Sequence, residues 1–261
     1  MLYFKYIKLL FKSQMQYKAS FIMMAAAQFF TPFSLFAGIY FLFGRFGSIA
    51  GWTMYDVFVC FAVIGSGFSV SECFARGFDK FPNMIRAATF DRILVRPRST
   101  VLQVLGYDFD LKRAGLLLSN IVVLAYAISG ADIDWNPMRA LALINMILSG
   151  AVIFSGVFML QAAAAFWTIE TLEVANIFTH GMKEHASYPL DIFPKWITVV
   201  FTYIIPFGTV NYLPLQFLVG RTRGGPYDWT YAFIPLAGAL FMIPCVFIWR
   251  LGVKKYSSAG S

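Results

Sequence analysis

From Ser20 to Phe43 the chain runs for about 24 residues without an Asp, Glu, Lys or Arg, more than the roughly 20 that carry a helix across a hydrocarbon core. In lipid such a run must be helical, because its backbone groups have no water to bond and must satisfy one another within the segment. Four more apolar runs follow: Met54 to Cys73, Leu116 to Ser129 with a helical lead-in, Met138 to Leu160, and Tyr231 to Leu251. They set the fold class as an all-α polytopic membrane protein, a single transmembrane domain over residues 1–261. Composition agrees, since 59% hydrophobic and 13% charged residues cannot clothe a 261-residue water-soluble globule. The first run lacks a short core followed by a small-residue cleavage site, so it reads as a retained anchor.

The flanks set the orientation. Within residues 1–18, Lys5, Lys8 and Lys12 share one helical face while Phe4, Ile7, Leu10 and Phe11 share another. This is the pattern of an interfacial helix whose lysines point at anionic headgroups. Arg250, Lys254 and Lys255 mark the other terminus, with a tail over residues 252–261. Basic residues are retained in the cytoplasm, so both termini are expected there and the number of crossings must be even. Five runs therefore require a sixth.

Two segments compete for it. Residues 196–219 are apolar but broken at Pro206-Phe207-Gly208 and again at Pro214; residues 169–188 are long enough but carry Glu170, Glu173, His180, Lys183, Glu184 and His185. If the polar stretch crosses, residues 196–219 form a re-entrant hairpin and residues 180–185 lie toward the outer face. If the hairpin crosses, residues 180–185 lie in the cytosol. Ionisable groups at membrane depth are costly unless they face partners or water, so Glu173 and His180 are candidate pathway residues, joined by Pro206 and Asn211 in the hairpin. The blander reading puts Glu170 and Glu173 at the inner interface and Lys183 to His185 at the outer one. Asp56 and Glu72, at opposite ends of the second run, are expected to be interfacial. Gly65, Gly67, Gly150 and Gly156 read as points where helices of one chain approach closely.

Several chemistries are excluded. No segment matches G-x-x-x-x-G-K-[ST], so nothing here cradles nucleotide phosphates. There is no nucleophile elbow and hence no catalytic residue to assign. His180, Glu184 and His185 share a helical face but do not have a metal-ligand signature, so no metal site is assigned. Cys60, Cys73 and Cys245 sit in apolar runs as small packing residues. The net charge of +8 is spread between apolar spans rather than collected in a basic domain, which argues against nucleic acid.

The remaining feature is a charged insert between two apolar runs, residues 78–99, with the centre Phe90-Asp91-Arg92-Ile93-Leu94-Val95-Arg96-Pro97. Pro97 ends the helix that holds Asp91 to Val95, and Ser99 is placed to cap a helix running from Thr100 to Ser129. On its residues alone the insert suits either a protein partner or anionic lipid.

Taken with the interfacial amino-terminal helix, Gly51-Trp52, Ile85-Arg86, Phe166-Trp167, Tyr188-Pro189-Leu190, Asn211-Tyr212-Leu213-Pro214 and Trp249, this insert resembles the coupling loop of type-2 ABC transporter permeases. The likeness is to the branch of small six-span bacterial permeases encoded apart from their ATPase, and it covers Lys8 to Tyr256. It favours the polar crossing and implies a coupling helix and an outer re-entrant hairpin. It implies ATPase docking through Asp91, Arg92, Arg96 and Arg98 with Arg86, and through Phe81, Ile85 and Phe90 as packing residues. ATP and Mg would be bound by the partner ATPase, with no cofactor on this chain. A second permease subunit, a related chain rather than an identical copy, and membrane lipid complete the implied partners, in a bacterial plasma membrane. The implied activity is export. Under this topology 15 of the 21 basic residues are cytoplasmic, and Arg45, Arg139, Lys183, Lys195, Arg221 and Arg223 are not. Trp52, Trp135 and Trp229 mark outer span ends, Trp249 an inner one. The rival from another class is a self-sufficient secondary transporter or channel, for which no internal repeat speaks.

Overall fold

The computed structural model describes residues 2–168, 172–222, 224–225 and 227–257, without the side chains of residues 2 and 172–178. Among the described residues it contains helices and one isolated bridge, Ile49 to Trp52. Helix α1 (Leu2–Gln14) ends in a short turn where Tyr17 leaves the helical region (φ −113°, ψ 64°). α2 (Lys18–Phe30) and α3 (Phe33–Phe46) form the first long run, interrupted at Thr31–Pro32, where Pro32 has no N–H to donate. The chain then reverses over Ile49–Trp52 with Ala50 and Gly51 both at positive φ (51° and 79°), a conformation that glycine adopts without strain.

Thr53 and Asp56 start α4 (Met54–Phe74) with a reciprocal capping box. The charged insert holds four short helices, α5 (Arg76–Asp79), α6 (Phe81–Arg86), α7 (Asp91–Leu94) and α8 (Thr100–Leu105). α9 (Ala114–Gly130) and α10 (Pro137–Ala164) follow, the latter capped by Asn136. α11 (Leu172–Ala186) precedes a bent pair: α12 (Lys195–Val199) runs on as a π-helical turn to Ile204, and a second π-helical turn from Gly208 leads into α13 (Leu213–Leu218). The two limbs meet at 91° across Pro206. α14 (Ile234–Ala239) and α15 (Met242–Lys255) close the chain.

Among the described residues, five runs are long and apolar enough to cross a membrane: Tyr3–Phe46, Met54–Phe74, Leu111–Gly130, Pro137–Ala164 and Ile234–Lys255. α4 is the axis around which they sort, about 31 Å long, with Trp52 at one end and the Trp249 cluster at the other. α9 and α10 pack along α4, α2 packs on α9, and α15 on α10. The expected single helix from Thr100 to Ser129 is two helices. Gly106 ends α8 against the Tyr6 ring, Asp110 caps the turn at Lys112, and Phe109 packs on Phe74.

The sixth traverse follows from where the segment between α10 and the hairpin is anchored. Phe166 packs on Phe81, Phe90 and Trp249, whereas Asp191 accepts the Trp52 indole N–H at 2.8 Å. The chain must therefore pass from the Trp249 end to the Trp52 end between them, and α11 lies on that route. The bent pair does not traverse. It starts beside Asp191 and finishes at Arg221, which lies over the Trp52 ring at 4.0 Å, so both its feet are at the Trp52 end. Its interior packs on Phe154 through Phe207 and on Gly150 through Val210. The first and last described helices, α1 and α15, share the Trp249 end. There α1 crosses beneath the bundle, with the Tyr3 hydroxyl donating to the Phe74 carbonyl (2.7 Å) and the Gln14 amide to the Phe109 carbonyl.

The small residues serve contacts within the chain. A Cβ on Gly67 would lie 3.0 Å from the Ala151 nitrogen, one on Gly156 3.1 Å from the Cys245 sulfur, and one on Gly65 would strike Asn120. Cys60, Cys73 and Cys245 are buried. Two tryptophans depart from expectation. Trp52 and Trp249, read as membrane-interface anchors, are 1% and 0% exposed, because each is the hub of its end of the molecule.

Candidate functional site

Two regions concentrate charge and exposure in ways the rest of the fold does not. The first is the insert α5–α8. Phe81, Ile85 and Phe90, expected to pack against a partner, are instead interior: Phe81 and Phe90 meet edge to face at 5.0 Å and both pack on Phe166 and Trp249, and Ile85 belongs to the same core. They are the foundation that holds α7 in place, and apolar residues at the surface do the presenting. Leu94 is 39% and Val95 82% exposed, flanked by exposed Arg92, Arg96 and Arg98, with Arg86 exposed on α6. Asp91 is half-buried and its carboxylate accepts the Tyr256 hydroxyl at 2.9 Å, which ties α7 to the end of the chain. Ser99 occupies the cap position of α8, yet its side chain makes no capping hydrogen bond. The stiffening comes from Gln103, whose amide donates to the Ile93 and Arg98 carbonyls (3.2 Å each).

Arg92 and Arg96 converge on a cavity of about 440 Å³ whose other wall is α1, through Tyr6, Leu9 and Leu10. Sequence reasoning assigned α1 to the membrane surface alone. The signal for its second role was the third side of the helix: Tyr3, Tyr6 and Gln14 fall between the lysine stripe and Phe4/Phe11, and all three side chains touch the rest of the protein.

The insert is bolted to the spans by charge. Glu72, 2% exposed at the end of α4, holds Arg76 at 2.7 Å and Arg113 at 3.0 Å. Arg76 also meets Asp79 (3.4 Å), and Arg113 meets Asp110 (3.8 Å) and the Gln28 amide oxygen (3.1 Å). One carboxylate thus joins α2, α4, α5 and the turn before α9. Lys80 pairs with Asp108, and Gly77 lies against the Val104 carbonyl, so α5 and α8 are packed closely together.

The second region is α11 and the hairpin. His180, Gly181, Glu184 and His185 lie on its uncovered arc, while Thr179, Met182 and Ala186 are buried. His180 lies 5.7 Å from the Phe68 ring, and His185 stacks on Phe201 at 6.1 Å. Lys183, expected at the outer surface, turns inward: its ammonium lies 5.2 Å from the Phe68 ring centre and 3.8 Å from Glu184. Phe68 is about 21 Å along α4 from Met54, so the ammonium lies within the length of that apolar run. The Glu173 side chain and Glu170 lie outside the described residues. Pro206 is half-buried at the hairpin bend, at the rim of a cavity of about 520 Å³ shared with Tyr203, Leu160 and Pro244. Asn211 is buried and donates to the Ala186 carbonyl at 2.8 Å, so it fastens the hairpin to α11 and does not face open space. Asp56 and Glu72 are at the ends of α4 as expected but are internal ion-pair partners.

Residues 22–260 match the family model described as ABC-2 family transporter protein. No curated protein and no solved structure matches the chain.

Proposed function

Since the chain belongs to the ABC-2 transporter family and is thereby a membrane permease component of an ABC transporter, we propose that it is driven by a separate ATPase docking on α7 and α1. The observation that carries this reading is the build of the insert: a surface of Arg92, Leu94, Val95, Arg96 and Arg98 mounted on a buried aromatic base and bolted to α4 by Glu72. A rigid element of that kind can pass a push from a cytosolic engine to the spans, whereas a lipid-bound loop has no need of such a foundation. The ATPase binds ATP and Mg; this chain contributes no catalytic group.

The α11 arc supplies the path. His180, Glu184 and His185 are uncovered at membrane depth, where exposure to acyl chains is costly. They face a water-filled passage between this chain and a second permease subunit, a related chain rather than an identical copy. The Trp249 end, with both termini and the insert, is cytoplasmic in a bacterial plasma membrane, and α1 lies in its interface. Substrate enters there and leaves past the re-entrant hairpin, which makes the complex an exporter.

Co-purification with the ATPase encoded nearby, followed by ATPase measurement in vesicles, tests this. Replacing Arg92 and Arg96 with Ala is expected to lower permease-stimulated hydrolysis at least about tenfold, since charged contacts at a docking surface contribute ~1.5 kcal/mol or more each. The reading fails if the purified chain moves cargo unaided, or if a cysteine at Val95 is labelled only from outside the cell.

A further inference from the structure

An apolar cleft of about 520 Å³ opens on the opposite side of α4 from α11, and nothing in the transport reading uses it. Val70 and Phe74 of α4, Ala151, Ser155 and Met159 of α10, and Met242 of α15 line it. Its polar side chains are engaged within the chain: the Ser71 and Ser155 hydroxyls are 3.0 Å apart, Ser155 donates to the Ala151 carbonyl, and the Tyr3 hydroxyl donates to the Phe74 carbonyl. The cleft therefore offers no hydrogen-bonding site to a polar ligand.

Its shape and position specify the occupant. Ala151 to Met159 extends about 12 Å along α10, from mid-bundle toward the Trp249 end. That matches half of the ~30 Å hydrocarbon core, one leaflet deep. At the Trp249 end the cleft is bounded by Tyr3 and Phe4 of α1, and beside them Lys5 and Lys8 are exposed. An apolar slot one leaflet long, bounded by the helix that carries the exposed Lys5 and Lys8, complements an acyl chain carrying an anionic headgroup. We propose that this cleft is a specific site for an anionic glycerophospholipid of the leaflet at the Trp249 end. One acyl chain lies between α4, α10 and α15, and the phosphate is held by Lys5 and Lys8. The lipid would fasten α1 to the bundle, next to the wall that α1 gives the Arg92 cavity. The inference stands apart from the transport reading, since it requires neither ATPase nor cargo.

The test uses the full chain in nanodiscs containing phosphatidylglycerol with a diazirine on one acyl chain. Photolabel is expected to concentrate on residues 70–78 and 151–159 over the exposed apolar surface of α2 and α3. Val152→Trp, at a half-buried position on the rim, should cut that labelling about tenfold because several methylene groups lose their burial. Lys5→Gln with Lys8→Gln should abolish the preference for phosphatidylglycerol over phosphatidylcholine while leaving acyl labelling in place. Even labelling of cleft and α2–α3 surface by the parent chain overturns the proposal without any variant needing to fold. So does a preference for phosphatidylglycerol that survives loss of both lysines, or a Ser155→Cys disulfide between two copies that excludes the label.

Discussion

The two ends of α4 are pinned by carboxylates of similar burial but built to different purposes. Asp56, at the Trp52 end, already accepts the Thr53 backbone N–H at 3.0 Å in its capping box before Arg221 reaches it at 3.4 Å. Arg221 has other attachments as well, the Gly51 carbonyl and the Trp52 face. If it withdraws, Asp56 keeps a donor. Glu72, at the Trp249 end, has no cap to fall back on and depends on Arg76 and Arg113. Around it the aromatic cluster of Phe78, Phe81, Phe90 and Phe166 closes on Trp249. One end is a latch whose parts can separate, fastening both feet of the hairpin. The other is a joint that ties the insert to the spans.

The comparison breaks if the joint proves dispensable. Trp249→Ala should lower stability by ~3–5 kcal/mol, through lost packing and a cavity at the centre of the aromatic cluster. Thermal unfolding in detergent, read against Trp249→Phe as a milder control, measures it. Glu72→Gln leaves two half-buried arginines short of a counter-charge, and the expected loss is at most about 3 kcal/mol, the low end for breaking a buried pair, because both arginines reach solvent and Asp79 and Asp110 remain. At the latch, Arg221→Ala removes a cation–π contact and a partly exposed pair, worth ~1–2 kcal/mol together. Its larger signature is accessibility: a cysteine at Thr209, near the hairpin bend, should react faster with a water-soluble thiol reagent in the Arg221→Ala background. Equal destabilisation by Arg221→Ala and Glu72→Gln would remove the distinction between latch and joint.

The apolar runs were legible because lipid imposes length and composition on any crossing; the last four bounds from sequence differ from the helical runs by at most five residues at each end, and the first differs because α1 continues it back to Tyr3. Parity of the basic flanks required the sixth traverse that hydropathy misses at α11. What sequence could not supply was direction of facing. Phe81, Ile85 and Phe90 sit in a charged insert, so they read as contact residues. Only the return of Phe166 and Trp249 to the same place, from 76 and 159 residues beyond Phe90, makes them a core. Lys183 was misplaced for a related reason, since the ring that takes its ammonium, Phe68, belongs to a different helix and cannot be paired with it from sequence. The α1 face toward the Arg92 cavity was visible as a pattern but had no partner until α7 was placed.

Ser99 offers the smallest and sharpest comparison within the joint. By identity it is a favoured helix cap, and removing such a hydroxyl ordinarily costs ~0.5–2 kcal/mol. Here the hydroxyl makes no capping bond, and the turn from Ile93 to Arg98 is instead held by Gln103, 5% exposed. Ser99→Ala should therefore change stability by less than ~0.5 kcal/mol, as surface substitutions do. Gln103→Leu, which keeps the volume but frees both carbonyls, should cost ~1–3 kcal/mol and loosen α7 without touching its surface. Hydrogen exchange at residues 91–98 separates the two: protection retained in Ser99→Ala and lost in Gln103→Leu places the stiffness of the docking surface in one buried amide, and the reverse order would return it to the cap.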